Sequence, residues 1–385
     1  MSINIVTKYL RKIYTEFATH VYDVPPRMLA LLILIIFALI PYIIPYGPTT
    51  RRLNILTSAN LIAILAVSWD LLVGRTGQIS LGHALFYGVG AYGTAILYKY
   101  FSWPVWVTIP MGMLVGAGIA LIIGVPCLRL KGPYLALLTM AFPLSVTGFL
   151  YYFGEIFGRE RGIADLPQVF EREVIKKNFG IEITIYDRFI ANYYLSLTLL
   201  TLCSILIYKL ATSKTGIVFV SILDDELGTK ACGINVTKYK LMSFTISGLF
   251  GSLAGAFYAH MISGSANPRF FVDPTALLPM ENSLIPIVAT ILGGIGTIYG
   301  PIVGVYIYRL LEEFAFPNLF EYLKILGITV DVYMQTPIKL VAFISIIVLL
   351  IVRWPRGIAR AIVEKLEDLQ EPREIEEILK EKGKA

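Results

Sequence analysis

"GRTGQISLGHALFYGVGAYGTA" occupies residues 74–95, between two strongly apolar stretches. It carries six glycines together with Gln78, Ser80 and His83, where a helix facing lipid would carry Leu and Ile. Backbone interrupted at membrane depth survives only where protein or a water-filled cavity satisfies its freed polar groups. The stretch therefore belongs inside a bundle, and two roles are open for it: part of a translocation pathway, or close helix packing alone.

The rest of the chain agrees with a membrane setting. Its 385 residues are 56% hydrophobic and 16% charged, with mean hydropathy +0.70, which is the composition of a polytopic membrane protein. Apolar runs of the ~20 residues that cross a bilayer recur along almost the whole sequence. Candidate spans fall at 28–46, 53–73, 79–98, 105–125, 133–153, 192–210, 241–261, 283–294, 299–314 and 337–352. The expectation is an all-α transmembrane bundle of about 8–10 spans, some of them broken or short. Residues 1–27 read as a basic amphipathic lead-in at the membrane surface, without the short apolar core of a removable signal peptide. Residues 28–353 form the membrane domain, and 354–385 a charged, solvated tail.

Lys8, Arg11, Lys12 and Arg27 precede the first span, Arg129 and Lys131 sit in a short loop, and Arg353, Arg356 and Arg360 follow the last. Placing all of these in the cytoplasm satisfies the positive-inside tendency. The loop at 154–191 is then external, the loop at 211–240 cytoplasmic, and both termini cytoplasmic. Arg51, Arg52 and Lys99 fall outside, against the tendency. The net charge of +6 is explained by residues flanking spans; nucleic acid binding would need a basic face that water reaches.

Small residues recur at helical spacing. Gly112, Gly116, Ala120 and Gly124 share one face; Gly248, Ser252 and Ala256 form a row, and Gly251, Gly255 and Ala259 the next. Such rows let helix backbones approach closely in lipid. "ILGGIGTIYGPIVGVYIY" at 291–308 is a second glycine-interrupted segment, including Gly294 and Gly296. Setting residue 82 against 296 pairs Gly82 with Gly296, Gly90 with Gly304 and Tyr92 with Tyr306, a weak internal repeat. Paired interruptions in two halves of a chain point to a translocation site.

Candidate chemistry is sparse. Asp70 lies near the end of an apolar span with Arg75 five positions on; snorkelling to the interface, a structural pair and proton coupling are all open readings. His83 and His260 have no acidic residue or cysteine at ligand spacing, so neither predicts a metal site. Cys127, Cys203 and Cys232 read as small packing residues. There is no G-x-x-x-x-G-K-[ST] loop, so the chain by itself is not expected to hydrolyse ATP. No cofactor is expected on it, and no catalytic cluster supports a membrane enzyme. "SILDDELGTKACGINVTKYKLMSF" at 221–244 is too polar to span. Asp224, Asp225 and Glu226 suit the start of a short helix and Gly233 its left-handed cap, which alone is a surface feature.

Taken together these segments resemble a known family. "GRTGQISLGHALFYGVGAY", "DDELGTKACGINVTKYKLMSFTISGLFGSLAGAFYA", "ILGGIGTIYGPIVG" and the closing "RWPRGI" are similar, in order and spacing over about 54–358, to the M-type permease subunit of branched-chain amino acid ABC transporters. The resemblance implies an importer permease that works with a second related permease, two cytoplasmic ATP-binding subunits that hold ATP and Mg, and an external solute-binding protein. It implies that the short helix docks on an ATP-binding subunit, through Asp224, Asp225, Glu226, Gly228, Ala231 and Gly233. A pathway role falls to Gln78, Ser80, Gly82, His83, Gly90, Tyr92, Gly294 and Gly296. Departures are Leu227 and Gly228 in place of the usual small pair, Leu223 in place of a basic residue, Asp70 in place of an amide and Arg75 in place of an uncharged residue. The opposite charges of the last two suggest that Asp70 and Arg75 pair. Import of a branched-chain or related amino acid across the cell membrane is the expected function. A urea or short-amide permease of the same architecture, and an ion-coupled transporter or channel, are the alternatives.

Overall fold

The computed structural model describes residues 49–130, 132–170, 185–262 and 270–312, with isolated positions between 331 and 361. The lead-in at 1–27, the span at 28–46, the middle of the loop at 154–191, most of the span at 337–352 and the tail lie outside the described residues. The described chain is a helix bundle. Six of its helical segments are long and apolar enough to cross a membrane, and the all-α multi-pass expectation holds.

The bundle is built around one helix, α1 (Thr49–Thr76). Leu61, Ala63, Ile64, Ala66 and Leu72 have no exposure, and a helix buried on every side is apolar all round. Its polar residues must then find partners inside the protein. The hydroxyls of Thr57, Ser58, Ser68 and Thr76 turn back on carbonyls three or four residues earlier in the same helix. The Asn60 amide donates to Ser196 Oγ at 2.9 Å, and its carbonyl oxygen accepts from the Tyr306 hydroxyl.

After α1 come α2 (His83–Phe101), α3 (Val105–Cys127), α4 (Pro133–Tyr152) and α5 (Ile185–Ala211), of which α2 and α5 pack on α1. Two short helices follow, α6 (Lys214–Asp224) and α7 (Glu226–Ala231), then the long α8 (Val236–Met261). The chain ends its described core with α9 (Met280–Gly293) and α10 (Tyr299–Leu310). Helix α9 is the larger part of the apolar segment Pro274–Gly293, one of the six long enough to cross, whereas α10, at 1.5 Å per residue, reaches about 18 Å of the ~30 Å of hydrocarbon. They pack as a hairpin, Gly304 against the Ala289 backbone and Gly293 against Gly300. A two-stranded antiparallel ribbon, β1 (Ile163–Leu166) with β2 (Phe270–Val272), lies near the end of α8. It is anchored there by His260, whose Nδ1 donates to the Pro167 carbonyl at 2.7 Å. The His260 Nε2 lies 2.9 Å from the Thr94 hydroxyl, which in turn donates to Thr108 Oγ1 at 2.8 Å.

The small-residue rows do what their spacing predicts. Gly112, Gly116, Ala120 and Gly124 are all buried on one face of α3, which meets α2 and α8. A Cβ at Gly90 would overlap the Ser252 carbonyl, one at Gly255 the Tyr87 carbonyl, and one at Gly116 the Ser252 hydroxyl. Backbone thus touches backbone in the α2–α3–α8 block. On the outer face of the same helix, a Cβ at Gly118 would meet nothing within 4 Å.

Two expectations need correction. Asp224 does not open the short helix: it is the last residue of α6, and Asp225 alone is the cap of α7, accepting from Leu227 N at 2.9 Å. A doublet of aspartates looks the same whether a helix ends or begins between its members. Cys232 is exposed rather than packed, while Cys127 and Cys203 are buried.

Gly90→Ala is expected to destabilise the purified protein by about 1–3 kcal/mol, the usual penalty for overpacking a tight interior. Gly118→Ala is expected to stay within about 0.5 kcal/mol of wild type. Thermal unfolding in detergent distinguishes the two.

Candidate functional site

Helix α2 does not start at a membrane surface. His83, its first residue, lies against Ser247, near the middle of the 26-residue α8. After Gly77, whose N–H still bonds the Val73 carbonyl at 3.0 Å, the connection at 78–82 runs to the level of Ser247 outside any helix, and other groups satisfy its backbone. Trp69 Nε1 donates to the Ser80 carbonyl at 2.8 Å, Thr139 Oγ1 accepts from Leu81 N at 3.0 Å, and Ser80 Oγ accepts from Gly82 N at 3.3 Å. Ser283 of α9 accepts from Ala84 N at 2.9 Å, closing the first turn of α2. Ser247 Oγ spends its proton on the Ser68 carbonyl at 2.6 Å, so His83 Nε2 is the donor in its 2.8 Å contact with Ser247.

The second interruption, between α9 and α10, is held one residue further along α1. Asp70 Oδ1 accepts from Gly296 N at 2.7 Å, and Gly294 and Gly296 both have positive φ. A Cβ at Gly74 would lie 2.6 Å from Asp70 Oδ1 and 2.7 Å from Gly296 N, and one at Gly357 would overlap Gly294. The first glycine segment, the second, and the closing "RWPRGI" therefore meet at one point. The expected Asp70–Arg75 ion pair does not form among the described residues. Five residues along a helix turn the two side chains ~140° apart, and the carboxylate is taken by Gly296 N instead.

Of the eight residues assigned to the pathway, Gly82 packs on the Thr139 backbone and Gly90 on Ser252, while Gly294 and Gly296 form the junction at Asp70. Tyr92 is buried with its ring edge-on to Phe157, and its hydroxyl has no hydrogen-bond partner among the described residues. Gln78 is 3% exposed, and among the described residues neither its Nε2 nor its Oε1 is hydrogen-bonded. The same holds for His83 Nδ1, which is also buried.

The acidic segment at 224–233 forms a knee. Asp225 caps α7, Thr229 Oγ1 donates back to the Ser221 carbonyl of α6 at 2.9 Å, and Gly228 leaves room for the Asp225 carboxylate. Gly233, at φ +79, ends the turn, its N–H donating to the Lys230 carbonyl at 2.9 Å. Glu226 bridges Lys240 of α8 at 2.7 Å and Lys230 at 3.2 Å. Leu227 is 71% exposed and Ile217 65% exposed on the outside of the knee. On its inside Leu223 lies against Gly77, where a Cβ would be 3.0 Å from Leu223 Cδ1.

A small cavity of about 50 Å³ lies where α1, α2, α8, α9 and α10 converge. Its polar lining is Tyr87, Tyr258, Asn282 and Arg309, and its apolar lining includes Ile62, Leu65 and Ile285. None of the eight proposed pathway residues lines it. Among the described residues no group of three His, Cys, Asp or Glu side chains could hold a metal ion.

The sequence profile described as the permease component of branched-chain amino acid transport systems matches residues 51–352. The chain is 28% identical over 303 residues to the high-affinity branched-chain amino acid transport system permease protein LivM of Salmonella typhimurium, covering 75% of this chain and 68% of that protein. It is 28% identical over 282 residues to LivM of Escherichia coli, covering 70% of this chain and 64% of that protein. The chain thus spans about two thirds of the length of these relatives. It is 25% identical over 263 residues to the probable branched-chain amino acid transport permease protein LivH of Methanocaldococcus jannaschii, covering 66% of this chain and 77% of that protein. No solved structure matches the chain.

Asp70→Asn keeps an acceptor for Gly296 N and is expected to be near wild type in stability. Asp70→Ala leaves that buried N–H unpaired and is expected to cost about 1–3 kcal/mol. The double exchange Asp70→Arg with Arg75→Asp is expected to stay as damaged as Asp70→Arg alone, read by yield and thermal unfolding of the purified protein.

Proposed function

Because the chain belongs to the family of permease components of branched-chain amino acid transport systems, we propose that it is the membrane-spanning permease subunit of an ATP-binding-cassette importer. It takes a branched-chain or related amino acid from an external binding protein and passes it across the cell membrane. A second related permease completes the pathway, and two cytoplasmic subunits supply ATP and Mg chemistry that this chain does not perform.

The observation that carries this reading is the knee of α6 and α7. It is rigid without help, capped at Asp225 and closed at Gly233, and it presents Leu227 and Ile217 outward among charged residues. Exposed apolar side chains on a short, pre-formed helix are a docking surface for another protein. Lys209, Lys214, Lys230, Lys238 and Lys240 cluster around it, which favours a cytoplasmic position. A push on the knee reaches the bundle by two routes: through Glu226 and Lys240 into α8, and through Leu223 onto Gly77 beside the unpartnered Gln78. Gln78 keeps its place in the proposed pathway on that ground. Alternating access then requires nucleotide and solute to bind the two bundle conformations differently.

The ion-coupled alternative depends on Asp70, whose carboxylate is occupied by Gly296 N. A decisive test is uptake by proteoliposomes holding the whole complex with its binding protein. Transport that requires ATP and the ATP-binding subunits is expected; transport driven by an ion gradient in their absence would overturn the reading. Leu227→Asp is expected to lower ATP-dependent uptake at least 10-fold, because a buried apolar contact is replaced by a charge at the docked surface. Unchanged uptake would remove the knee from the mechanism.

A further inference from the structure

We propose that the cavity between α1, α2, α8, α9 and α10 reads the solute as a zwitterionic aliphatic amino acid within the permease itself, Arg309 taking the carboxylate and the Asn282 carbonyls, with the Tyr87 and Tyr258 rings, taking the ammonium. The inference rests on the importer reading and specifies its substrate class.

Arg309 supplies the anion site. Its Nη1 donates to Glu312 Oε2 at 2.6 Å, but its Nε is buried and has no hydrogen-bond partner among the described residues. Arg309 stands in the last turn of α10 with its side chain 22% exposed. A buried N–H of this kind is ordinarily satisfied, and a guanidinium with an uncommitted Nε edge fits the two oxygens of a carboxylate side-on. Glu312 engages Nη1 and leaves that edge available.

The ammonium side comes from α9. Asn282 Nδ2 donates to the Ala276 and Leu277 carbonyls at 2.6 and 3.1 Å, which turns its Oδ1 into the outstanding acceptor. Pro286 lies four residues further along α9. It has no N–H, so the Asn282 backbone carbonyl lacks its usual helical donor. Tyr87 and Tyr258 stand with ring centroids 5.4 Å apart on the same cavity, and aromatic faces attract cations. Ile62, Leu65 and Ile285 form an apolar wall suited to an aliphatic side chain. Urea or a short neutral amide offers Arg309 no anion and leaves that wall uncovered.

A volume of about 50 Å³ holds water but falls well below the roughly 300–1,000 Å³ of ligand pockets. On this proposal the structure holds a contracted form of the site, which widens to admit the solute when the α9–α10 hairpin shifts against α2 and α8.

The test is retention of radiolabelled leucine by the purified complex of both permeases and the ATP-binding subunits, without binding protein, in nucleotide-free and nucleotide-bound states. Saturable retention in at least one state is expected, displaced at least 10-fold more effectively by leucine than by leucinamide, isopentylamine or urea. Arg309→Gln is expected to weaken it at least 10-fold, and Arg309→Lys to restore part of the loss. Ile285→Trp, which fills the cavity, is expected to abolish it; should Arg309→Gln not assemble, this variant and the wild-type competition decide. No retention, equal displacement by leucinamide, or unchanged retention in both variants would overturn the inference. Uptake by the wild-type complex that ignores ATP would instead overturn the importer reading and leave the retention result standing.

Discussion

Two breaks in the backbone are tied to adjacent residues of one buried helix. Trp69 of α1 satisfies the Ser80 carbonyl in the first break, and Asp70 satisfies Gly296 N in the second, 226 residues away in sequence. Hydrocarbon offers a broken backbone no water, so each exposed polar group must be met by protein. Helices α2 and α10 start from these breaks, with α1 meeting one backbone group in each and Thr139 and Ser283 meeting others in the first. Four of the α1 hydroxyls, on Thr57, Ser58, Ser68 and Thr76, bond to its own carbonyls, and Asn60 bonds to Ser196 and Tyr306.

This arrangement also decides where movement can enter. The α2–α3–α8 block has backbone on backbone at Gly90, Gly112 and Gly255, and close packing of that sort transmits displacement as a unit. The α9–α10 hairpin is joined through Gly294 and Gly296 at positive φ and is tied to α1 by the Asp70 carboxylate. The cavity lies on the boundary between these two parts, with Tyr87 and Tyr258 on one side and Asn282, Ile285 and Arg309 on the other. A relative shift of block and hairpin opens or closes it.

Much of the bundle was legible in the sequence because apolar run length and four-residue glycine spacing are local signals. The short helix at 226–231 was legible too, since Asp225 and Gly233 are chemical punctuation. The partners at the breaks were not, because hydrogen bonds from Trp69 or Thr139 to a distant backbone leave no pattern along the chain. Opposite charges at Asp70 and Arg75 suggest a pair, but five residues of helix turn the two side chains ~140° apart. The cavity residues were overlooked because they come one or two from each of several helices. Arg309 carries a signal of its own, as a cation inside the apolar run at 299–314.

The glycine contacts of α2, α3 and α8 also have an entropic side. In a bilayer each helix is already folded before it meets its neighbours, and its backbone order is spent in that earlier step. Where Gly90 meets the Ser252 carbonyl and Gly255 the Tyr87 carbonyl, the glycine brings no rotamers to freeze, whereas long side chains at the same crossings would lose up to about 2 kcal/mol each. Association of these three helices is therefore dominated by dispersion and dipole contacts, with little conformational freedom given up at those crossings.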